Sequence, residues 1–242
     1  MNLIIDLGNT AVKWALFEVK NLIVKGKSSY SDLDKEIQNW LSYPILNVAI
    51  SAVVEVPSSL NNFLEKYDYV LKIDNKCSIP IKNSYKTPSS LGADRLVNAV
   101  AASYIADDGD VLVIDCGTCI KIDYTSKYKG FVGGSISPGV RMRYASLNHF
   151  TAKLPLLEPG EWTGLFGADT NDSIHHGVMN GVLYEINGAI ENYQSQIPEI
   201  KIILTGGDLH FFQNLIEKKA IFAEPDLTLT GINLILLHNK NE

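Results

Sequence analysis

A strand–turn–strand pattern that occurs twice constrains the fold of this chain more than any other feature. Residues 3–17 read LIIDLGNTAVKWALF, and residues 111–125 read VLVIDCGTCIKIDYT. The turns of the two copies align at a constant offset of 109 residues (115 − 6): Asp115 with Asp6, Gly117 with Gly8, and Thr118 with Asn9. A duplication of this kind predicts two related lobes, residues 1–110 and residues 111–242, with a nucleotide in the cleft between them.

The turn of the first copy is suited to binding phosphate. Gly8, Asn9 and Thr10 combine a missing side chain, a residue that tolerates left-handed geometry and a small hydroxyl, which leaves backbone N–H groups exposed. Such a group of donors attracts phosphate, Lys13 adds a mobile positive charge, and Asp6 is placed to hold hydrated Mg²⁺. One copy alone would be interpreted as an ordinary hairpin with a polar turn, and the second copy favours a nucleotide site.

Five short motifs carry a resemblance to a known family. Asp-x-Gly-Asn-Thr at residues 6–10 and Asp-x-Gly-Thr at residues 115–118 resemble the sugar kinase, Hsp70 and actin superfamily. Three further motifs narrow the resemblance to one family: Leu-Gly-Ala-Asp-Arg at 91–95, Gly-Gly-Ser-Ile-Ser-Pro-Gly at 133–139 and Thr-Gly-Gly-Asp at 205–208. With these motifs in this order, nearly the whole chain resembles the type III pantothenate kinase family. The resemblance implies an α/β fold of duplicated ribonuclease H-like, actin-like ATPase lobes with a nucleotide cleft between them.

The activity that the resemblance implies is ATP-dependent phosphorylation of pantothenate to 4'-phosphopantothenate, the first step of coenzyme A biosynthesis. Asp94 is implied as the base that accepts the hydroxyl proton. The implied ATP-binding residues are Asp6, Gly8, Asn9, Thr10, Lys13, Gly117 and Thr118. The implied pantothenate-binding residues are Tyr85, Gly92, Ala93, Asp94, Arg95 and Thr170.

Two other functions remain open. Another small-molecule kinase of the same superfamily would share the phosphate motifs, because loops set the acceptor. A non-enzymatic regulator of the Bvg accessory factor branch would keep the fold, but the presence of Asp94 and Lys13 argues against it.

Ser89 or Ser90 is predicted to cap a helix that runs to about residue 106, and the start of this helix contains most of the implied acceptor site. The buried side of the helix is predicted to consist of Leu96, Val97, Val100, Ala101 and Tyr104. Asp94 and Arg95 are predicted in the first turn of this helix, where the helix dipole alone would account for an acidic residue. Because a cation is unfavourable there, Arg95 indicates a ligand or a partner carboxylate. Tyr85 lies in the preceding loop, where a surface packing role and a ligand contact are both consistent with the sequence.

Asp115 is the residue at which the resemblance implies a monovalent cation, K⁺ or NH₄⁺. The residues alone leave Mg²⁺ or a simple turn equally open. Lys121 stands where the family commonly has threonine, and a lysine there would replace part of the charge of the cation.

Composition argues against several other classes of protein. The net charge of −6 is not offset by a run of Lys and Arg, which argues against nucleic acid as a partner. No apolar stretch is long enough to cross a bilayer, and the N-terminal run lacks the basic segment of a signal peptide. Three cysteines favour reduced thiols and a cytoplasmic location. Cys116 and Cys119 form a Cys-x-x-Cys without a second pair, so we interpret them as packing residues.

Glycines in two segments predict close packing of backbone. Gly177, Gly181 and Gly188 fall inside a helix predicted from residue 170 or 171 to 193, which suggests a backbone neighbour, and the resemblance implies a homodimer. The glycine-rich residues 131–139 are consistent with approach either to a ligand or to the neighbouring hairpin.

Overall fold

The computed structural model describes residues 1–74, 76–107, 109–160, 162, 164, 166–212 and 221–240. Its strands are β1 (Asn2–Leu7), β2 (Val12–Glu18), β3 (Asn21–Ser28), β4 (Asn47–Ala52), β5 (Val70–Lys72), β6 (Val111–Cys116), β7 (Cys119–Ser126), β8 (Gly130–Pro138), β9 (Lys201–Thr205) and β10 (Ile221–Ala223). Its α-helices are α1 (Leu33–Trp40), α2 (Ser58–Leu64), α3 (Ala93–Ile105), α4 (Val140–His149), α5 (Thr170–Gln196) and α6 (Leu227–Lys240). Single 3-10 turns occur at Tyr30–Asp32, Pro88–Ser90 and Leu209–Phe211.

The chain forms two compact units with the same sheet topology. The first unit is Met1–Ile105 with Asp226–Glu242, and the second is Ala106–Pro225. The strand order is β3-β2-β1-β4-β5 in the first and, in the reverse direction, β8-β7-β6-β9-β10 in the second. In both, a three-stranded antiparallel meander is extended by two parallel strands. This repetition confirms the predicted α/β class with two related sheets.

The first sheet is covered on both faces, which explains the nearly continuous apolar run of β1. Leu3, Ile5 and Leu7 pack in a cluster with residues of α1 and α2. Ile4, which points to the opposite face, packs in a second cluster with residues of α3 and α6. Both faces of β1 are therefore core.

The last helix differs from the predicted division at residue 110. Residues 227–240 belong to the first unit, whereas the duplicated pattern predicted that everything after residue 110 belongs to the second lobe. Helix α6 packs closely on α3, since a Cβ atom on Gly231 would lie 2.1 Å from the Val97 carbonyl oxygen. The apolar face of α6 is thus buried by residues far from it in sequence, which a division into consecutive segments does not anticipate.

The second unit is built in the same way around β6. Leu112, Ile114 and Cys116 pack in one cluster with the apolar stripe of α5, which consists of Ile174, Val178, Val182, Ile186 and Ile190. The predicted helical spacing of this stripe is confirmed, because all five side chains are buried.

The glycine-rich residues 131–139 were not assigned to a strand from the sequence, but Gly130–Pro138 is strand β8, paired with β7. The predicted start of α3 was wrong. Helix α3 begins at Ala93 rather than at a serine cap, and Pro88–Ser90 forms a separate 3-10 turn. The predicted position of Asp94 in the first turn is confirmed. Among the described residues, the helices are all too short or too polar to cross a membrane.

Candidate active site

The first hairpin places Asp6 and Lys13 directly opposite each other. Asp6 is the penultimate residue of β1, and its partner in the β1–β2 ladder is Lys13. Both side chains are partly buried, whereas Asn9 and Thr10 in the turn are exposed. The Gly8 N–H donates to the Ala11 carbonyl oxygen at 3.1 Å and closes the turn. The hairpin therefore presents an acidic group, a basic group and a polar turn at one end of the sheet.

Tyr30 holds this turn from the side. Its hydroxyl donates to the Gly8 carbonyl oxygen at 2.6 Å. Burial raises the pKa of the Tyr30 hydroxyl, and the negative charge of Asp6 raises it further. The hydroxyl therefore stays protonated and remains a donor to Gly8 at neutral pH. Nothing in the local sequence of residues 6–13 pointed to Tyr30, which comes from the 3-10 turn that follows β3.

The second hairpin has a tighter turn, held by backbone. The Gly117 N–H donates to the Cys119 carbonyl oxygen at 3.2 Å, and the Gly139 N–H donates to the Thr118 carbonyl oxygen at 3.1 Å. A Cβ atom on Gly139 would lie 2.3 Å from the Gly117 oxygen and 2.4 Å from the Thr118 oxygen. Of the two alternatives for residues 131–139, the approach to the neighbouring hairpin is thus observed at Gly139.

Asp115 lies at the foot of that turn and is paired with a lysine. Lys121 is its cross-strand partner in the β6–β7 ladder, and the Lys121 Nζ lies 2.7 Å from Asp115 Oδ2. The two side chains are only 19% (Lys121) and 14% (Asp115) exposed. Gly206, with φ +101°, approaches from the loop after β9: a Cβ atom on it would lie 2.6 Å from Asp115 Oδ1. The left-handed backbone and this crowding both require glycine at position 206.

The first cysteine of the Cys-x-x-Cys segment, Cys116, is buried, whereas Cys119 is only partly buried. The Cys116 carbonyl oxygen accepts from the Asp208 N–H at 2.8 Å. Burial raises the pKa of the Cys116 thiol to about 12, with further contributions from the charges of Asp115, Asp208 and Glu185. Catalytic Cys-x-x-Cys pairs have a lowered thiol pKa. The raised value supports the packing interpretation of Cys116.

The predicted acceptor residues of the first unit lie together at the start of α3. The Asp94 carboxylate folds back over Gly92, two residues before it, so that a Cβ atom on Gly92 would lie 2.6 Å from Asp94 Oδ1. Arg95 is buried, and its guanidinium carbon lies 5.6 Å from the centre of the Tyr85 ring. This distance is within the range of a cation–π contact. The structure thus brings Tyr85 and Arg95 together beside Asp94, and Ala93 is the first residue of the helix.

Thr170 lies in the second unit, as the first residue of α5. Asp169 caps the helix, since its Oδ1 accepts from the Asp172 N–H at 2.9 Å. Thr170 is exposed and lines an open cavity of about 770 Å³. The other residues that line this cavity are Arg143, Ser146, Leu147, Leu154, Asp169, Ser173, Ile174, Gly177 and Val178.

The helix glycines have no close neighbour within the described part of the chain. A Cβ atom on Gly177 or Gly188 would meet nothing within 4 Å, and one on Gly181 would meet only the end of Arg143 at 3.8 Å. The backbone neighbour that these glycines predicted is therefore not provided by the described residues of this chain.

The described residues contain no cluster of three or more His, Cys, Asp or Glu side chains placed to hold a metal ion. This does not count against Mg²⁺ in a phosphate site, because Mg²⁺ there is bound through one or two carboxylates, substrate phosphates and water. Asp6 fits such a role, since it stands at the end of β1 beside the phosphate-type turn.

Comparison with known families and relatives gives a consistent result over the whole chain. The family profile described as Type III pantothenate kinase matches residues 2–192. A type III pantothenate kinase of Phocaeicola vulgatus is 38% identical over 240 residues, covering 99% of this chain and 99% of the relative. One from Christiangramia forsetii is 38% identical over 244 residues, covering 100% of both chains.

Solved structures show the same fold at lower identity. A Campylobacter jejuni protein assigned to the Baf family of transcriptional activators superposes with a TM-score of 0.61 at 22% identity, covering 99% of this chain and 100% of that one. A Listeria monocytogenes protein described as an N-acetylmannosamine kinase gives a TM-score of 0.53 at 14% identity, with 99% of each chain covered.

Proposed function

Because the chain belongs to the type III pantothenate kinase family, we propose that it transfers the γ-phosphoryl group of ATP to the primary hydroxyl of pantothenate. The product is 4'-phosphopantothenate, and the reaction is the first step of coenzyme A biosynthesis. The observation that carries this proposal is full-length similarity to pantothenate kinases in a chain whose duplicated sheets each present an Asp–Gly hairpin.

We assign the ATP phosphates to both hairpins. In the first unit, Gly8, Asn9 and Thr10 provide backbone N–H donors and Lys13 provides a positive charge. In the second unit, Gly117 and Thr118 are the corresponding residues. Phosphoryl transfer asks the protein mainly to align two reactants and neutralise charge, and these groups are of the type that does so.

Kinases use ATP together with a divalent metal ion, and Asp6 is the residue we propose to hold Mg²⁺. When bound, the ion neutralises negative charge on the phosphates. Asp6 is directly opposite Lys13 in the strand ladder, so its backbone is held at a fixed register beside the turn.

We assign the acceptor to the start of α3. Asp94 accepts the hydroxyl proton as the alcohol attacks the γ-phosphorus, which is general base catalysis. Arg95 and Tyr85 bind the pantothenate carboxylate and amide oxygens, supported by their mutual contact at 5.6 Å. Gly92 and Ala93 bring backbone close to the acceptor, and Thr170 is proposed as a further pantothenate contact.

The residues around Asp115 do not fit the free K⁺ or NH₄⁺ that the resemblance implies. Oδ2 of Asp115 is already 2.7 Å from the Lys121 ammonium, which supplies the positive charge, and Oδ1 faces the backbone of Gly206. We therefore assign no step of the reaction to a monovalent cation at Asp115.

We further propose that the enzyme is a cytoplasmic homodimer. The open glycines of α5 and the cavity that begins at Thr170 supply a surface on which a second copy fits. The free cysteines are consistent with a reducing compartment. Sedimentation at several protein concentrations tests the dimer.

The decisive experiment is a coupled assay that follows ADP release by the purified protein with Mg²⁺–ATP and a panel of acceptors. We expect turnover with pantothenate and none with simple sugars such as N-acetylmannosamine. Turnover with another acceptor only would favour a different kinase of the superfamily. Nucleotide binding without any turnover would favour a regulator.

A further inference from the structure

We propose that the Lys121 ammonium takes the place of a free monovalent cation at Asp115, so that phosphoryl transfer by this chain does not require K⁺ or NH₄⁺. The inference rests on the proposed kinase function. It assigns to Lys121 a positioning role for the second hairpin. It also means that this chain lacks the requirement for a monovalent cation that the family resemblance implies.

The first support is the fixed geometry of the pair. Asp115 and Lys121 face each other as direct partners in the antiparallel β6–β7 ladder, and the ammonium nitrogen lies 2.7 Å from Oδ2. Both side chains are largely shielded from water, with 19% of Lys121 and 14% of Asp115 exposed. A charge pair in such a place is screened less by solvent than one on the surface. The ammonium is therefore a permanent part of this hairpin.

The second support is the close approach of glycine backbone to the other carboxylate oxygen of Asp115. A Cβ atom on Gly206 would lie 2.6 Å from Asp115 Oδ1, and one on Gly117 would lie 3.3 Å from it. One carboxylate oxygen is thus occupied by the ammonium and the other is lined by backbone. A second cation would also stand close to the Lys121 charge and be repelled by it.

The third support is chemical equivalence. A lysine side chain ends in a compact ammonium with one unit of positive charge and three N–H donors. An ammonium of this kind supplies the charge of K⁺ and the donors of NH₄⁺ from a group attached to the chain. It needs no ion from solution.

The fourth support is the duplication itself. Lys13 occupies the same register position in the first hairpin, opposite Asp6, as Lys121 occupies in the second, opposite Asp115. The chain therefore places an Asp–Lys pair beside each of its two phosphate-type turns. In the second unit the pair supports the turn formed by Gly117 and Thr118, where the proposed function places part of ATP.

The test measures initial rates with Mg²⁺–ATP and pantothenate as their Tris salts, in choline chloride or in KCl. Wild-type protein is expected to have rates that agree within about twofold in the two salts. Lys121→Thr should lose about tenfold or more in choline chloride, the order expected for a charged hydrogen bond, and recover in KCl or NH₄Cl. Lys121→Arg, which keeps the charge, should remain independent of K⁺.

A second readout does not depend on turnover. Thermal unfolding in the presence of a non-hydrolysable ATP analogue should show a K⁺-specific stabilisation for Lys121→Thr and none for the wild-type protein. A wild-type rate or melting temperature that depends on K⁺ would overturn the inference while leaving the kinase function intact. So would a Lys121→Thr variant that is fully active without K⁺, or one that K⁺ does not rescue. Absence of turnover in every salt would count against the kinase function, and the unfolding measurement would still decide the role of Lys121.

Discussion

The two hairpins share one topology but are held in different ways. In the first, four residues separate β1 from β2, and Asn9 and Thr10 are exposed. The backbone bond from Gly8 to Ala11 closes this turn, and the Tyr30 hydroxyl donates to the Gly8 carbonyl oxygen. In the second, two residues separate β6 from β7, and the backbone at Gly139 and Gly206 packs against them. From these contacts we expect the first turn to adjust around a ligand more readily than the second.

The difference suggests that the two copies of a duplicated unit have separate roles, one mainly in catalysis and one mainly in stability. The first unit also carries Asp94, Arg95 and Tyr85, so we expect its substitutions to change catalysis more than stability. The turn of the second unit is part of its packing, so we expect substitutions there to change stability first.

Replacing the proposed base is the strongest test of this division. Asp94→Asn should lower kcat by a factor of about 100 or more while folding and ATP binding stay intact, because only proton acceptance is lost. The matched control is Asp172→Asn, since Asp172 is an acidic residue in the first turn of α5, as Asp94 is in the first turn of α3. Equal, small effects of the two substitutions would mean that Asp94 serves only the helix dipole.

Removing the lysine of the first hairpin should have the next largest effect. Lys13→Ala is expected to lower kcat/KM for ATP about 10- to 100-fold, as for the loss of a charged hydrogen bond, and to change pantothenate binding much less. Steady-state kinetics with each substrate varied in turn measures both. A larger effect on pantothenate than on ATP would contradict the role assigned to Lys13.

Replacing one glycine at each hairpin by alanine compares how tightly the two turns are packed. Gly139→Ala should destabilise the protein by about 1–3 kcal/mol, because the new Cβ atom would overlap two carbonyl oxygens. Gly8→Ala should change stability by less than about 1 kcal/mol, since its Cβ atom would meet only the Ala11 oxygen, at 3.3 Å. Urea unfolding of both variants is the measurement, and a larger loss for Gly8→Ala would reverse the comparison.

The smallest expected effect concerns the side chain that holds the first turn. Tyr30→Phe should cost about 1 kcal/mol of stability, the value of one hydrogen bond, and raise the KM for ATP a few-fold at most. Tyr144→Phe is the control in the second unit, because the Tyr144 hydroxyl bonds to His175 Nδ1 at 2.7 Å away from the hairpin. Its KM for ATP should not change. An unchanged KM for Tyr30→Phe would show that the turn does not need Tyr30 to bind nucleotide.

Local patterns in the sequence predicted the parts of the fold that depend on local contacts. The apolar runs of β1 and β2, the helical spacing of the apolar residues in α5, and the position of Asp94 in the first turn of α3 follow from residues within a few positions of each other. These features were predicted because side-chain periodicity and backbone preferences act over that range.

Features that depend on distant residues were not predicted. Helix α6 joins the first unit, Tyr30 reaches Gly8, and Gly206 packs on Asp115, each across a separation that no local pattern reports. Tyr104 was expected on the buried side of α3 but is 52% exposed, with the Lys20 ammonium 4.4 Å from its ring centre. The aromatic ring suited the apolar spacing, but a nearby lysine provides a favourable surface position.

The candidate site shows the same limit. Asp115 was identified from the duplicated motif, and Lys121 from its departure from the family pattern. Only the structure shows that the Lys121 ammonium lies 2.7 Å from Asp115 Oδ2. Residue types therefore identified candidate groups, whereas the contact between the two side chains is known only from the structure.

The packing of α6 on α3 has a consequence for biosynthesis. The ribosome synthesises all of residues 106–225 before residues 227–240, which close the core of the first unit. We therefore expect the first unit, although it begins the polypeptide, to complete its core only after translation has ended.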